Sequence, residues 1–94
     1  MIKNIKFFKS NRKNKKYKVQ FKLFNNLYTI HFGDIRYQHY KDQTNIKLYT
    51  HLDHLDKKRR KNYLSRSKGI KNKKNELTKD NPLSSNYWSI RYLW

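Results

Sequence analysis

The chain has no cysteine, only two glycines and one proline among its 94 residues. Without cysteine it forms neither disulfides nor thiolate metal sites, which is compatible with a reducing compartment such as the cytosol or nucleus. It has no apolar run approaching the roughly 20 residues of a membrane-spanning helix. Residues 1–16 have no uninterrupted apolar segment and no small-residue cleavage site, so they do not fit a secretory signal.

Acidic residues are also scarce: six Asp and Glu stand against 24 Lys and Arg, which gives a net charge of +18. Self-repulsion of this size is relieved when nucleic acid, an acidic protein surface or anionic lipid headgroups lie against the cations. We therefore expect a polyanionic partner. Hydrophobic residues make up only 35% of the chain, but the 16% that are aromatic bury a large area each and suffice for one small domain.

Residues for catalysis are few. Glu76 is the single glutamate and lies in a Lys-rich stretch, and no Ser or Thr has an evident paired base. A metal-dependent nuclease needs clustered carboxylates. The best set is Asp42, Asp53 and Asp56, and the last two are explained by their place at a helix start. We therefore expect a protein that is not an enzyme and has no cofactor.

The histidines offer a conceivable metal site, because His51 and His54 flank Asp53, with His39 and Asp42 upstream. Imidazole and carboxylate groups of this kind bind zinc. Their spacing fits no standard zinc motif, and histidines near a helix start more often form local hydrogen bonds. We therefore expect no metal.

Strict alternation over residues 17–24 predicts a half-buried strand. The apolar face carries Tyr17, Val19, Phe21 and Leu23, and the polar face carries Lys18, Gln20 and Lys22. Asn25 and Asn26 tolerate left-handed dihedrals, which predicts a tight turn and a returning strand over residues 27–32. Residues 47–50 are a candidate third strand.

The first 16 residues mix scattered apolar side chains with Lys and Asn and show no sustained period. We predict a basic N-terminal arm over residues 1–16 that becomes ordered only when it binds a partner. Residues 17–94 then form a single small domain.

Residues 51–69, HLDHLDKKRRKNYLSRSKG, predict a short, strongly basic helix. Asp53 is placed to cap its first turn, Asp56 to reach back, and Gly69 to end it in a left-handed conformation. Leu55, Tyr63 and Leu64 are expected to pack on the hairpin. A Lys- and Asn-rich exposed loop follows over residues 70–79.

A second helix is predicted over residues 82–94, with Asn81 as cap and Pro82 at its first position. Leu83, Tyr87, Ile90 and Trp94 share one face, which we expect to dock on the hairpin. The predicted fold class is α+β: a hairpin or three-stranded antiparallel sheet packed with a basic helix and a C-terminal amphipathic helix, plus the basic arm.

The segments YQHYKDQTNIKLYTHLDHLDKKRRKNYLSRS, GIKNKK and SSNYWSIRYLW resemble a family of small basic proteins encoded by large nucleocytoplasmic DNA viruses of eukaryotes. Such proteins share an HxD-type segment that runs into a KRR or RKR cluster, a YL-R stretch and a closing aromatic and LW pair. The resemblance covers roughly residues 28–94, and the spacing of HLDHLDKKRR to NYLSR is its specific part. The family brings no catalytic motif. The resemblance implies a viral origin and a place in the virion, where small minor proteins hold an icosahedral shell around an inner membrane and DNA.

The cations fall into two blocks, with nine in residues 3–22 and ten in residues 57–74. The candidates for binding an anionic partner are Arg12, Lys13, Lys15, Lys16, Lys57, Lys58, Arg59, Arg60, Lys61, Arg66 and Lys68. Rings between cations also stack on the bases of single-stranded nucleic acid. The candidates for stacking are Tyr37, Tyr40 and Tyr49, although core packing explains these rings equally well.

We therefore expect a non-enzymatic structural protein of a virion, a minor capsid or inner-shell component whose basic surface bridges acidic partners. The candidate partners are other capsid proteins, nucleic acid and an anionic membrane that the protein contacts peripherally. The expected location is the virion, with host cytoplasm or nucleus during assembly. The alternative is a DNA- or RNA-binding protein that contacts phosphates without reading sequence, used in genome packaging or expression.

Overall fold

The computed structural model describes residues 2–94, and it shows an α+β fold. A three-stranded antiparallel sheet has the strand order β1-β2-β3, formed by β1 (Ile2–Lys9), β2 (Lys15–Leu23) and β3 (Asn26–Asp34). Two helices complete the fold, α1 (Lys57–Ser67) and α2 (Ser85–Tyr92). One-turn 3₁₀ helices lie at Thr50–Leu52 and Thr78–Asp80. The predicted fold class is confirmed.

The predicted hairpin is formed by β2 and β3, but its turn lies one residue earlier than expected. Phe24 and Asn25 are the two turn residues, with φ values of +51° and +67°, and Leu23 pairs with Asn26. Two consecutive positive φ values are typical of a type I′ turn, whose twist matches that of the flanking strands. Phe24 is 80% exposed at the tip of this turn.

The predicted basic arm is corrected by the structure, because Ile2–Lys9 form the edge strand β1 and pair with β2. The register shifts between Lys3 and Lys6, where Asn4 has a φ of +57°. Such a bulge places one extra residue in β1, so Lys3 and Lys6 face the same way although they are three residues apart. The third strand of the sheet is therefore β1, and residues 47–50 form a turn leading into a 3₁₀ helix instead.

The core lies between the inner face of the sheet and α2. Its fully buried apolar residues are Tyr17, Val19, Phe21, Phe32, Trp88 and Leu93. The Trp88 ring lies 5.0 Å from that of Phe21, and Phe7 of β1 lies 4.6 Å from Tyr92, measured between ring centroids. Large aromatic rings thus supply most of the buried area, which is how a chain with so few apolar residues forms a core.

The C-terminal helix docks on the sheet as predicted, but it is shorter and uses another face. Ser84 is its N-cap and accepts a hydrogen bond from the Asn86 amide, so the helix begins at Ser85 rather than at Pro82. The Asn81 side chain instead accepts from the amide of Leu83, which is 45% exposed. Trp88 and Leu93 are the fully buried apolar residues at this end of the chain, rather than the predicted Leu83, Tyr87, Ile90 and Trp94.

The basic helix is also shorter than predicted. Asp56 is its N-cap and accepts from the amides of Lys58 and Arg59 at 2.9 and 3.2 Å, whereas Asp53 lies outside the helix. Gly69 does not have a positive φ, so the predicted left-handed stop is wrong.

The helix α1 packs on the C-terminal segment rather than on the hairpin. The rings of Tyr63 and Trp94 stack face to face at 3.9 Å, and Asn86 donates to the carbonyl of Ser67. Leu55, which we expected to pack on the hairpin, is 58% exposed.

Candidate polyanion-binding surface

A buried chain of polar groups attaches residues 37–53 to the start of β2. Lys16 is only 2% exposed. Its Nζ donates to the carbonyl oxygen of Tyr37 at 3.0 Å and to Nδ1 of His39 at 2.8 Å. On the other side of the ring, Nε2 of His39 lies 2.5 Å from Oδ1 of Asp53. This order of donors places the imidazole proton on Nε2, and it links a cation to a carboxylate through a neutral ring.

Asp42 organises the next part of the same segment. Its carboxylate accepts from the Tyr17 hydroxyl, from the amide and hydroxyl of Thr44 at 3.0 and 2.6 Å, and from the Tyr49 amide at 3.1 Å. The Tyr17 hydroxyl in turn accepts from the Leu48 amide at 2.8 Å. Buried polar groups are tolerated when they are satisfied in this way, so Asp42 holds a segment without regular structure in place.

The pKa values in this network follow from burial and from these contacts. Burial lowers the pKa of Lys16 to about 8, although Asp34, Asp42 and Asp53 act in the opposite direction. Burial, together with the charge of Lys16, also lowers the pKa of His39. For Asp42, burial alone would raise the pKa, but hydrogen bonds from Thr44 and Tyr17 hold it below its ordinary value. The network therefore keeps its histidine neutral near pH 7.

Most acidic side chains are used inside the fold or beside a local partner. Asp42 and Asp53 belong to the buried network, and Asp56 caps α1. Asp34 and Asp80 pair with Arg36 and Lys79. Within residues 2–94, Arg36 and Lys79 are the only Lys or Arg residues within salt-bridge distance of a side-chain carboxylate. The other 22 of the 24 Lys and Arg residues have no such partner.

One group of cations without carboxylate partners lies on the face of the sheet that is turned away from α2. We call this face the outer face. Strand register places Lys3 beside Lys22, and Lys6 beside Gln20. Lys18 is beside Phe8 and His31, and its Nζ lies 5.7 Å from the Phe8 ring centroid. The whole stretch from residue 2 to residue 33 contains nine cations and no Asp or Glu. The outer face therefore presents lysines and a half-exposed aromatic ring without a competing carboxylate.

The other group lies along α1, where the cations divide into two kinds. Arg60 is used structurally: its Nε donates to the main-chain oxygen of Trp94 at 2.7 Å, and its guanidinium lies over the Tyr40 ring. Arg59 donates to the Gln38 side chain at 3.0 Å. The remaining candidates on this helix and at its end are exposed to solvent: Lys57, Lys58, Lys61, Arg66 and Lys68.

Among the candidates from the first cation block, Lys16 is buried and is therefore removed from the binding surface. Its burial follows from the segment over residues 37–53, which covers the start of β2 and supplies its two acceptors. Arg12 and Lys13 are exposed in the connection between β1 and β2, and Lys15 is half-buried at the start of β2. The structure thus separates Lys16 from neighbours that sequence alone treats alike.

The candidate stacking residues also differ in their surroundings. Tyr37 is 65% exposed, and the Arg36 guanidinium lies 5.7 Å from its ring centroid. Tyr49 is half-buried, with its ring 5.2 Å from that of Tyr17, and Tyr40 is half-buried beneath Arg60. Tyr37 is therefore the one candidate of the three whose ring is largely free.

His54 forms a local hydrogen bond, whereas His39 bonds to residues distant in the chain. Nδ1 of His54 accepts from the Asp56 amide at 2.9 Å, and its ring packs 5.1 Å from Trp94. Its Nε2 is buried and has no hydrogen-bond partner in the part of the chain that the structure describes. Over residues 2–94, no three His, Asp or Glu side chains are grouped as a metal-ion site.

Sequence reasoning missed the outer face as a site. The signal for Lys18 and Lys22 was present, because strict alternation places them opposite the buried Tyr17 and Phe21. Lys3 and Lys6 had no such signal, since the bulge in β1 breaks the alternation that would have identified a strand.

No protein-family model matches the chain, and no curated protein or solved structure matches it either. Over residues 2–94, none of the helices combines the length and the apolar composition that crossing a bilayer requires.

Proposed function

We propose that the protein is a non-enzymatic structural component of a virion, a minor capsid or inner-shell protein that bridges acidic partners through its outer face and α1. The observation that carries the binding part is the charge distribution. Almost all Lys and Arg residues lack a carboxylate partner, whereas the carboxylates are used internally. A surface of this kind is stabilised when an acidic surface covers it, since the repulsion between its cations is then relieved.

The virion part rests on the resemblance of residues 28–94 to small basic proteins of large DNA viruses. Mass spectrometry of purified particles of the encoding virus tests it. We expect the protein in the particles at an abundance similar to that of other minor capsid proteins, and retained after nuclease treatment of opened particles. Its absence from purified particles contradicts the proposal.

A second candidate function is sequence-nonspecific binding of the nucleic acid backbone. The outer face favours it, because Lys3, Lys6, Lys18 and Lys22 lie on adjacent strands without an acidic neighbour. Backbone binding of this type releases counterions, so the logarithm of the affinity falls linearly with the logarithm of salt concentration. The slope is about −0.9 for each neutralised phosphate of duplex DNA.

Filter binding to duplex DNA at rising salt separates the two functions. For DNA binding through the outer face, the double variant Lys18→Gln/Lys22→Gln reduces the slope by about 2, from the loss of two phosphate contacts. The matched control, Lys73→Gln/Lys74→Gln, removes the same charge from the loop before residue 78 and leaves the slope unchanged. Weak binding of the unsubstituted protein with no salt slope contradicts the DNA-binding function.

A further inference from the structure

A cleft lies where the end of the sheet, α1 and the C-terminal segment meet. Its volume is about 520 Å³, which is within the range of small-molecule sites. The floor includes Gly33 and Leu93, and one wall is formed by the stacked rings of Tyr63 and Trp94. This cleft is separate from the outer face, because none of the outer-face lysines lines it.

Three residues of α1 face the cleft because of their spacing. Arg59, Tyr63 and Arg66 are four and three residues apart, which places them on one side of an α-helix. Two arginines therefore lie on either side of an aromatic ring along the same wall. Arginine presents several N–H donors in a planar fork, a geometry that suits phosphate oxygens.

Cations outnumber carboxylates along the cleft. Lys15 lines it from β2, as does Lys16, although the Nζ of Lys16 is held by Tyr37 and His39. Asp34, the one Asp or Glu side chain in the lining, accepts two hydrogen bonds from the Arg36 side chain, at 3.0 and 2.7 Å. This pairing lowers the pKa of Asp34 to about 2. Within residues 2–94, Arg66 has no side-chain hydrogen bond and no carboxylate partner, so its guanidinium is available to a ligand.

Groups that bind the remainder of a ligand are also present. The amide nitrogen of Asn86 donates to the Ser67 carbonyl and to the Thr78 hydroxyl at 2.8 and 2.9 Å, which fixes the orientation of the side chain. Asn86 also lines the cleft. Arginines beside aromatic rings, together with a fixed polar side chain, are a combination that suits a phosphorylated ring compound.

From these observations we propose that the cleft binds a phosphate monoester attached to a planar ring, that is, a nucleoside monophosphate or the phosphorylated end of a strand. The phosphate is held by Arg59 and Arg66, and the ring lies against Tyr63 and Trp94. The proposal does not rest on the outer face or on a place in the virion. A polyanion-binding surface alone would bind any phosphate. The cleft, by contrast, is expected to prefer a phosphate that carries a planar ring.

Titration calorimetry of the full chain with adenosine monophosphate, ribose 5-phosphate and adenosine tests the proposal. We expect adenosine monophosphate to bind more tightly than ribose 5-phosphate, and adenosine not to bind measurably. Equal binding of the two phosphates overturns the role of the aromatic wall. Absence of binding by both phosphates overturns the site.

Variants locate the binding. Arg66→Gln removes one charge-assisted contact and is expected to weaken adenosine monophosphate binding at least about tenfold. Lys61→Gln is the matched control, since about 100° of rotation per residue places it on the other side of α1, and it should bind as the unsubstituted protein does. Circular dichroism establishes that both variants are folded. Equal affinities of the two variants overturn the proposal.

Strand ends and mononucleotides are distinguished with a short single strand carrying either a 5′-phosphate or a 5′-hydroxyl. A preference for the phosphorylated strand that Arg66→Gln removes identifies the strand end as a ligand. No preference restricts the proposal to mononucleotides. The double variant Lys18→Gln/Lys22→Gln should retain the binding of adenosine monophosphate, so failure of the polyanion surface and failure of the cleft give different results.

Discussion

The buried Lys16 predicts an unusual dependence of stability on pH. Its pKa is about 8 in the folded protein, against 10.5 for an unperturbed lysine. Between these values the unfolded chain binds more protons than the folded chain, so the free energy of unfolding rises with pH. This difference in pKa adds about 3 kcal/mol to the free energy of unfolding over the full titration of Lys16. About 2 kcal/mol of this increase occurs between pH 8 and pH 10.

The substitution Lys16→Met isolates this effect. It removes the titrating group while keeping a long apolar side chain beneath the segment over residues 37–53. The carbonyl of Tyr37 and Nδ1 of His39 lose their donor, which costs about 1–3 kcal/mol. Near pH 7 this cost is offset by relief from burying a charge. The decisive quantity is therefore the change in unfolding free energy between pH 8 and pH 10, rather than its value at one pH.

Urea unfolding followed by tryptophan fluorescence measures this change, since Trp88 is in the core. The unsubstituted protein should gain about 2 kcal/mol more than Lys16→Met over this interval. Loss of general charge repulsion and ionisation of Tyr17 in the unfolded state affect both proteins alike. Lys18→Met, at the neighbouring position on the outer face, should follow the unsubstituted protein. Parallel curves for Lys16→Met and the unsubstituted protein would refute the reasoning.

Three further substitutions test other parts of the fold by urea unfolding. Gly33→Ala should destabilise by about 2–4 kcal/mol, because φ is +76° and the added Cβ would lie 2.9 and 3.0 Å from neighbouring side chains. Gly69→Ala is its control: the nearest heavy atom is 3.6 Å away, and stability should stay within about 1 kcal/mol. Asp56→Ala removes the cap of α1 and should lower the urea midpoint, whereas Asp56→Asn keeps a capping side chain and should retain most of the stability. Tyr17→Phe leaves a buried acceptor of Asp42 and a backbone amide without their partner and should cost about 1–3 kcal/mol. Each expectation is contradicted if the two proteins compared are equally stable. The pairs are the two glycine variants, the two Asp56 variants, and Tyr17→Phe with the unsubstituted protein.

The parts of the fold that local patterns describe were predictable. Alternation from Tyr17 to Leu23 identified β2, because successive side chains of a strand point to opposite faces whatever lies beyond them. The acidic and basic run around Asp56 identified a helix start within a few residues, although two aspartates competed for the cap. Only the tertiary contacts separate them: Asp53 accepts from the amide of Asp42 and from His39, which leaves Asp56 to the helix.

The candidate site was predictable in its charge but not in its shape. Counting cations indicated an acidic partner, and nothing in that count separates a buried lysine from an exposed one. Lys15 and Lys16 are adjacent, yet only Lys16 lies beneath the segment over residues 37–53. The cleft likewise requires Arg59, Arg66 and Trp94 to meet at one place, and they come from elements that pack together only in the folded chain.

By itself, then, the sequence determined the sign of the surface, the hairpin, the presence of two helices and an aromatic core, since composition and short-range periodicity fix these. The tertiary structure decided that residues 2–9 complete the sheet. It also decided which lysine is buried and where the arginines of α1 and the C-terminal tryptophan form a cleft. These features depend on contacts between residues far apart in the chain. Their free energy comes from burial and hydrogen bonding that no local pattern encodes.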